Sequence, residues 1–285
     1  MAVFKLPYGA EFSPDKIKIK DILRMASANE GDTAENLVTE IAKKYFKKNK
    51  SMASNCKNSM VAYDILQAGG GVKLSEFGEE LLAMKKDQEI YVAMAKRILT
   101  YLNGLMFIEA IRTISQGGNH PTLETMTETL NLMGCEELSK TNKHVATMKK
   151  WLEKANVLSG WEIKEKTLEK LVGIKKNEIE VLRGLNYPQA CFIRALCNTD
   201  SDEYQNATDI RDLAKTSYNV EFPAKNFAAA IIKPLEEKNL IEKKPFAGTH
   251  GGNASEIKLV GTVKADVLAP VLKQIEICLL YTSPS

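Results

Sequence analysis

One pattern recurs three times along the chain and limits the folds that it can adopt. An apolar helix runs into a tight break, and a short extended run follows the break. The helix ends read "DILQAGGGV", "WLEKANVL" and "PLEEKNLI", and their leucines are Leu66, Leu152 and Leu235, 86 and 83 residues apart. A period of this length is too long for a solenoid and typical of a small domain used three times. Chance similarity of one short helix end is the alternative.

The composition is that of an ordinary globular protein. The chain has 285 residues, of which 44% are hydrophobic and 26% charged, so wholesale disorder is excluded and two or three compact units are expected. Because it lacks both a long apolar run and a signal-peptide core at its start, we expect a cytoplasmic protein without a membrane partner. Its five cysteines are scattered and never spaced as Cys-x-x-Cys, which predicts reduced thiols rather than a zinc site.

The periodicity predicts a mainly α fold with short β-hairpins, arranged as tandem winged helix-turn-helix domains. The third repeat is the clearest: helices are predicted over 188–198, 206–219 and 223–239, followed by a hairpin that pairs "LIEKKPF" with "SEIKLV". Pro234 should kink or divide the third of these helices. The predicted units cover residues 1–86, 87–170 and 171–277, and residues 278–285 form a tail.

The predicted third helices begin with similar residues, which makes them candidates for contacting duplex DNA. They start in "SNCKNS" at 54–59, "KTNKHV" at 140–145 and "FPAKNF" at 222–227. Asn can bind an adenine edge and Lys a guanine edge or a phosphate, and helix N-termini favour phosphate. The base-edge candidates are Asn55, Asn58, Asn142, His144 and Asn226; the phosphate candidates are Lys57, Lys143, Lys225, Lys243 and Lys244; His250 lies at the Gly-rich hairpin tip. Alternatively, these Ser, Thr and Asn residues are N-caps with a structural role alone.

The charge is mildly basic and unevenly distributed. The net charge is +3, yet the segment from Ile41 to Tyr63 contains six lysines and no acidic residue. A solvated helix face and a phosphate-facing surface both explain such a segment. The sequence leaves both explanations open.

Two segments resemble a known family. "VKLSEFGEELL" resembles the L-T-x-x-G-x-x-L segment that closes winged-helix units in restriction endonucleases, and the run from "MAKRIL" to "WLEKANVL" resembles the recognition region of type IIS restriction enzymes. The resemblance covers residues 17–277 and implies duplex DNA recognition, with Mg²⁺-dependent cleavage by a separate C-terminal domain. The tail "CLLYTSPS" resembles translated sequencing-adapter read-through, so we expect it to be non-native and the gene to continue. A natural flexible tail is the alternative.

The sequence contains no convincing catalytic site. No phosphate-loop, nucleophile-elbow or His-Glu-x-x-His motif is present. Glu162-Ile163-Lys164 and Glu256-Ile257-Lys258 match the acid-x-Lys half of a nuclease motif, but neither has an upstream Asp on a neighbouring strand. We therefore predict no catalytic residue, metal or cofactor in these residues, with Mg²⁺ required only if a nuclease domain follows. A transcriptional or replication regulator and a protein–protein scaffold are the alternatives; target sequence and oligomeric state are not predicted.

Overall fold

A computed structural model describes residues 4–69, 71–136, 138, 142–199, 203–223, 225–245, 255–260 and 265–282, with side chains as far as residue 275. The chain forms two compact units, Met1–Leu171 and Val172–Ser285. The described residues are mainly helical with small antiparallel sheets. The predicted boundary between residues 170 and 171 lies one residue from this division. The predicted boundary between residues 86 and 87 lies inside the first unit.

The first unit contains nine helices and one two-stranded hairpin among its described residues. They are α1 (Ile19–Ala28), α2 (Ala34–Tyr45), α3 (Lys50–Ala62), α4 (Glu76–Ala83), α5 (Asp87–Tyr101), α6 (Gly104–Gln116), α7 (Leu123–Leu132), α8 (Lys143–Lys154), β1 (Leu158–Ser159), β2 (Glu162–Ile163) and α9 (Glu165–Val172), the last of which ends at the unit boundary. The break between α5 and α6 has a steric cause. Asn103 adopts a left-handed φ of 61°, and a Cβ atom on Gly104 would lie 2.6 Å from the Ile98 carbonyl oxygen.

A shared aromatic core explains why residues 1–86 and 87–170 do not form separate compact units. Phe12 and Tyr63 pack against Trp151, with ring centroids 5.2 and 6.4 Å away, and all three side chains are fully buried. The indole Nε1 of Trp151 donates to the Phe12 carbonyl oxygen at 3.0 Å. Tyr91 adds a ring 6.1 Å from that of Trp151. The two predicted units therefore share one core.

Short antiparallel pairings follow α3 and α8 in the first unit. Leu66 bridges Leu74 after α3, and Thr33, just before α2, bridges Gly71. After α8, β1 pairs with β2 in the register Leu158↔Ile163. Phe4 bridges Cys135 in parallel, so the N-terminal segment lies beside the residues that follow α7.

The second unit combines helices with a three-stranded sheet. Its elements are α10 (Lys176–Arg183), α11 (Tyr187–Cys197), β3 (Gln205–Asn206), α12 (Ala207–Tyr218), α13 (Lys233–Glu237), β4 (Ile241–Pro245), β5 (Ser255–Leu259) and α14 (Ala265–Thr282). The strands are antiparallel in the order β3-β5-β4. β4 pairs with β5 from Ile241↔Leu259 to Pro245↔Ser255, which confirms the predicted hairpin. The backbone of α14 continues into the predicted tail.

The helix that precedes β4 is irregular around Pro234, where a kink or a division was predicted. A π-helical turn, Ala228–Ile232, precedes α13, whose second residue is Pro234. Proline has no N–H and its ring crowds the preceding turn, so the helix continues through Pro234 with an irregular hydrogen-bond pattern before it. In an α-helix, the N–H of residue 234 would bond the carbonyl of Ala230. The buried Gln189 supplies that carbonyl with a donor instead, from Nε2 at 3.0 Å.

Candidate nucleic-acid interface

The structure corrects the predicted start of the first candidate helix. α3 begins at Lys50, where Asn49 Oδ1 accepts from the Met52 N–H at 3.1 Å. The predicted start at 54–59 was wrong because Ser54 and Asn55 match a cap in composition but lie in the helix interior. Asn55, Lys57 and Asn58 therefore lie along α3 rather than at its N-terminus.

The solvent-facing side of α3 is small and polar. Ser51 and Asn58 are exposed, and Ser54 and Asn55 are partly exposed on the same side. Ala53, Cys56, Ser59 and Met60 form the buried side of the helix. Lys57 is half-buried, and its Nζ lies 3.5 Å from Asn58 Oδ1. We call Ser51, Ser54, Asn55 and Asn58 the polar face of α3; it presents hydrogen-bonding groups without bulk.

Three lysines around the turn from α2 to α3 are exposed and have no ion pair with any described residue. They are Lys43, Lys47 and Lys48, which we call the turn cluster. By contrast, Lys44 pairs with Asp21 and Lys50 with Glu35, each at 2.9 Å. The charges of the turn cluster are therefore not locally compensated.

The predicted residues at the start of α8 differ in accessibility. Asn142 precedes the helix with a φ of 53°, and its Oδ1 accepts from Thr127 Oγ1 at 2.8 Å. His144 Nδ1 donates to the Leu6 carbonyl oxygen at 3.3 Å, and its ring lies edge-on to Tyr8 at 5.1 Å. Burial lowers the pKa of His144 below its usual value. Asn142 and His144 are thus engaged within the unit, whereas Lys143 is exposed.

Lys225 and Asn226 are exposed immediately before the helix that contains the π-helical turn and α13. Asn226 has a φ of 70°, and its carbonyl oxygen accepts from the Ala230 N–H at 2.9 Å. The next residue, Phe227, lies edge-on to Phe192 and Phe222, both 5.7 Å away. This aromatic contact fixes the start of the helix, so the two polar side chains project from an anchored position.

The hairpin of the second unit has one charge-paired face. Lys244 pairs with Glu256 at 3.0 Å and Lys258 with Glu242 at 3.2 Å. Lys244 Nζ also lies 3.9 Å from the ring centroid of Tyr204, whose hydroxyl donates to Glu242 Oε2 at 3.2 Å. We call these five residues the outer face of the hairpin.

The other predicted hairpin residues fall elsewhere. Lys243 pairs in register with the buried Ile257, is exposed, and has no ion pair within the described ranges. The charge of Lys243 is thus uncompensated, unlike that of Lys244. His250 lies outside the described residues.

The segment that carries the family resemblance has a structural role. Ser75 caps α4, because its Oγ accepts from the Gly78 N–H at 2.9 Å. A Cβ atom on Gly78 would lie 2.3 Å from the Ile65 carbonyl oxygen, so no larger residue fits. The Ser-x-x-Gly spacing thus caps α4 and allows its first turn to pack against the backbone of Ile65, beside the Leu66–Leu74 bridge.

The acid-x-Lys triplets form ion pairs rather than a metal centre. Lys164 pairs with Glu162 itself at 2.9 Å, and both Glu256 and Lys258 belong to the outer face. Among the described residues, no group of three or more His, Cys, Asp or Glu side chains could hold a metal ion. Over the same ranges, no helix combines the length and the apolar character needed to cross a bilayer.

Comparisons with protein families, with curated proteins and with solved structures find no match for this chain. Function must therefore be inferred from the arrangement of its own residues. That arrangement offers amides along α3 and at Asn226, together with uncompensated lysines near helix starts and on a hairpin, and these groups are suited to binding phosphate and base edges.

Proposed function

We propose that this chain binds duplex DNA through winged-helix modules. The observation that carries the proposal is the order of elements in the second unit: α11, β3, α12, a third helix and the β4–β5 hairpin, with the sheet order β3-β5-β4. This is the order of a winged helix-turn-helix. In helix-turn-helix proteins the recognition helix enters the major groove with its N-terminal residues near the bases. Lys225 and Asn226 occupy the corresponding position.

A similar order occurs twice in the first unit and supports a tandem arrangement. α1, the Thr33 bridge, α2, α3 and the pairing around Leu66 form one module. α6, α7, α8 and the β1–β2 hairpin form the other. Although these two modules share one core, each retains a third helix with an accessible polar side.

The roles of the predicted residues follow from their exposure. Asn55, Asn58 and Asn226 are the base-edge readers, because an Asn side chain can both donate to and accept from adenine. Lys57, Lys143, Lys225 and Lys243 neutralise phosphates. Asn142, His144 and Lys244 remain weaker candidates, since each already has a partner within its own unit.

The resemblance to type IIS enzymes favours a more specific role, the recognition portion of a restriction endonuclease. A regulator with the same modules and no enzyme attached is the alternative. The genomic sequence after codon 277 distinguishes them. An acid-x-Lys core with an upstream Asp on predicted strands favours the nuclease, and its absence from the whole reading frame favours the regulator.

The outer face of the hairpin favours a second candidate function, a protein–protein scaffold. Its two lysines are each paired with a glutamate, so this surface offers little net charge to a phosphate backbone. A scaffold would bind no DNA even at low salt, and replacing its exposed lysines would have no effect on a DNA titration.

The test is fluorescence anisotropy of the full chain with a labelled random duplex across a salt series. DNA binding predicts that the logarithm of the affinity falls linearly with the logarithm of salt concentration. The double change Lys225→Gln and Lys243→Gln should reduce that slope by about 1 to 2, against no more than a small change for Lys166→Gln with Lys170→Gln. Absence of binding at low salt would overturn the proposal.

A further inference from the structure

We infer that the turn cluster, Lys43, Lys47 and Lys48, is the principal phosphate-binding edge of the first unit. The inference rests on the proposed DNA binding and specifies how the first unit takes part in it. The partner is the sugar–phosphate backbone of the duplex, bound without regard to sequence, beside the polar face of α3.

The first reason is charge. From residue 41 to residue 63 the chain has six lysines and no carboxylate. Among the described residues, acidic partners from outside this segment pair only with Lys44 and Lys50. The turn cluster therefore keeps three uncompensated positive charges within six consecutive residues. A phosphate backbone neutralises such charges and releases counterions, which favours binding.

The second reason is the rigidity of the turn. The N–H of Lys48 donates to the Ala42 carbonyl oxygen at 2.9 Å, and the N–H of Asn49 donates to that of Phe46 at 2.8 Å. Phe46 itself is buried. The lysine side chains thus project from a backbone that is already fixed, so binding loses little backbone entropy there.

The third reason is position. The turn leads directly into α3, whose polar face carries only Ser and Asn side chains. A face without bulk allows a helix to approach a groove closely, and the preceding lysines then lie where the flanking backbone passes. Phosphate contacts from the turn would orient the helix while Asn55 and Asn58 meet base edges.

The other lysine-rich surfaces are largely neutralised. In the first unit, Lys149 pairs with Glu153, Lys150 with Asp15 and Lys164 with Glu162. In the second unit, the outer face of the hairpin is paired in the same way. The part of the salt dependence that the first unit contributes should therefore come mainly from the turn cluster.

The experiment compares salt slopes of the full chain with a labelled random duplex, measured by fluorescence anisotropy. The test variant is Lys43→Gln, Lys47→Gln and Lys48→Gln. The control variant changes charge equally at three other exposed lysines of the first unit without ion pairs in the described ranges: Lys96→Gln, Lys166→Gln and Lys170→Gln. A third variant, Asn55→Ala with Asn58→Ala, removes base-edge groups and leaves the charge unchanged.

We expect the test variant to lose about 2 to 3 from the slope, near 0.9 for each phosphate contact, and the control less than about 1. The Asn variant should keep the wild-type slope. Equal losses in test and control would overturn the inference while leaving DNA binding intact, because they would reflect net charge alone. A wild-type chain that fails to bind would overturn the proposed function itself, and a variant with an altered circular dichroism spectrum is replaced by single Lys→Gln changes.

Discussion

Gln189 Nε2 donates to the carbonyl oxygen of Ala230 at 3.0 Å, on the irregular helix that contains Pro234. Gln189 also accepts from the Asn186 N–H at 3.2 Å, so its amide joins the start of α11 to the π-helical turn. One buried side chain thus compensates for a backbone donor that proline lacks.

A double-mutant cycle tests this compensation. Gln189→Leu should lower the free energy of unfolding of the second unit by about 1 kcal/mol, because it removes the hydrogen bond to a carbonyl whose α-helical donor proline lacks. In a Pro234→Ala background the loss should be smaller, since residue 234 can then donate to Ala230. Urea denaturation of the wild type, the two single variants and the double variant measures the coupling. Equal losses of stability in both backgrounds would contradict the compensation.

The shared aromatic core predicts that residues 1–86 and 87–170 lose protection together. Phe12→Ala removes a fully buried ring beside Tyr63 and Trp151 and should cost about 3 to 5 kcal/mol. Native-state hydrogen exchange should then quicken in both α3 and α8. Phe192→Ala, in the second unit, is the matched control and should leave both helices unaffected. Faster exchange in α3 alone would indicate two separate modules.

His144 predicts a loss of stability in mild acid. Burial lowers its pKa, while hydrogen bonds to the Leu6 and Pro7 backbone and the charge of Glu136 oppose this. Because the folded pKa lies below the unfolded value, the unfolded chain binds more protons just below pH 6.5, and stability falls as the pH falls through that window. His144→Gln should remove this part of the pH dependence in urea titrations, whereas the exposed His120→Gln should retain it. Identical profiles for both variants would exclude His144 as the cause.

Two cysteines report on the two units through their reactivity. Burial raises the pKa of both Cys56 and Cys197 to about 12, so neither thiol should react in the folded state at pH 8. Chains that retain only one of them should be labelled by a thiol reagent at the rate at which the corresponding unit opens. A Ser51→Cys change on exposed α3 surface provides a rapidly reacting control. Fast labelling of Cys56 in the absence of urea would show that α3 is not stably packed.

Local signals predicted much of the second unit. The two short extended runs "LIEKKPF" and "SEIKLV" on either side of a Gly-rich segment indicated the hairpin, and the pairing of β4 with β5 confirms it. Pro234 indicated an irregular helix because the effect of proline is local. The charge pairs of the outer face were not predicted, since they depend on strand register, which brings Lys244 opposite Glu256.

The first unit was predicted less well for two physical reasons. The start of α3 was misplaced because Ser54 and Asn55 resemble a cap as closely as Asn49 does, and composition alone does not rank them. The merging of residues 1–86 with 87–170 depends on Trp151 meeting Phe12 and Tyr63, a long-range contact that periodicity does not encode. The predicted DNA-binding roles remain predictions.

The hydrogen bond from Trp151 to Phe12 spans 139 residues, which has a consequence for synthesis on the ribosome. At about 5 to 20 residues per second, Phe12 emerges on the order of ten seconds before Trp151 is translated. During that interval the aromatic side chains of the N-terminal segment lack the ring that covers them. The growing polypeptide, rather than the finished protein, should therefore be the form that chaperones bind most strongly.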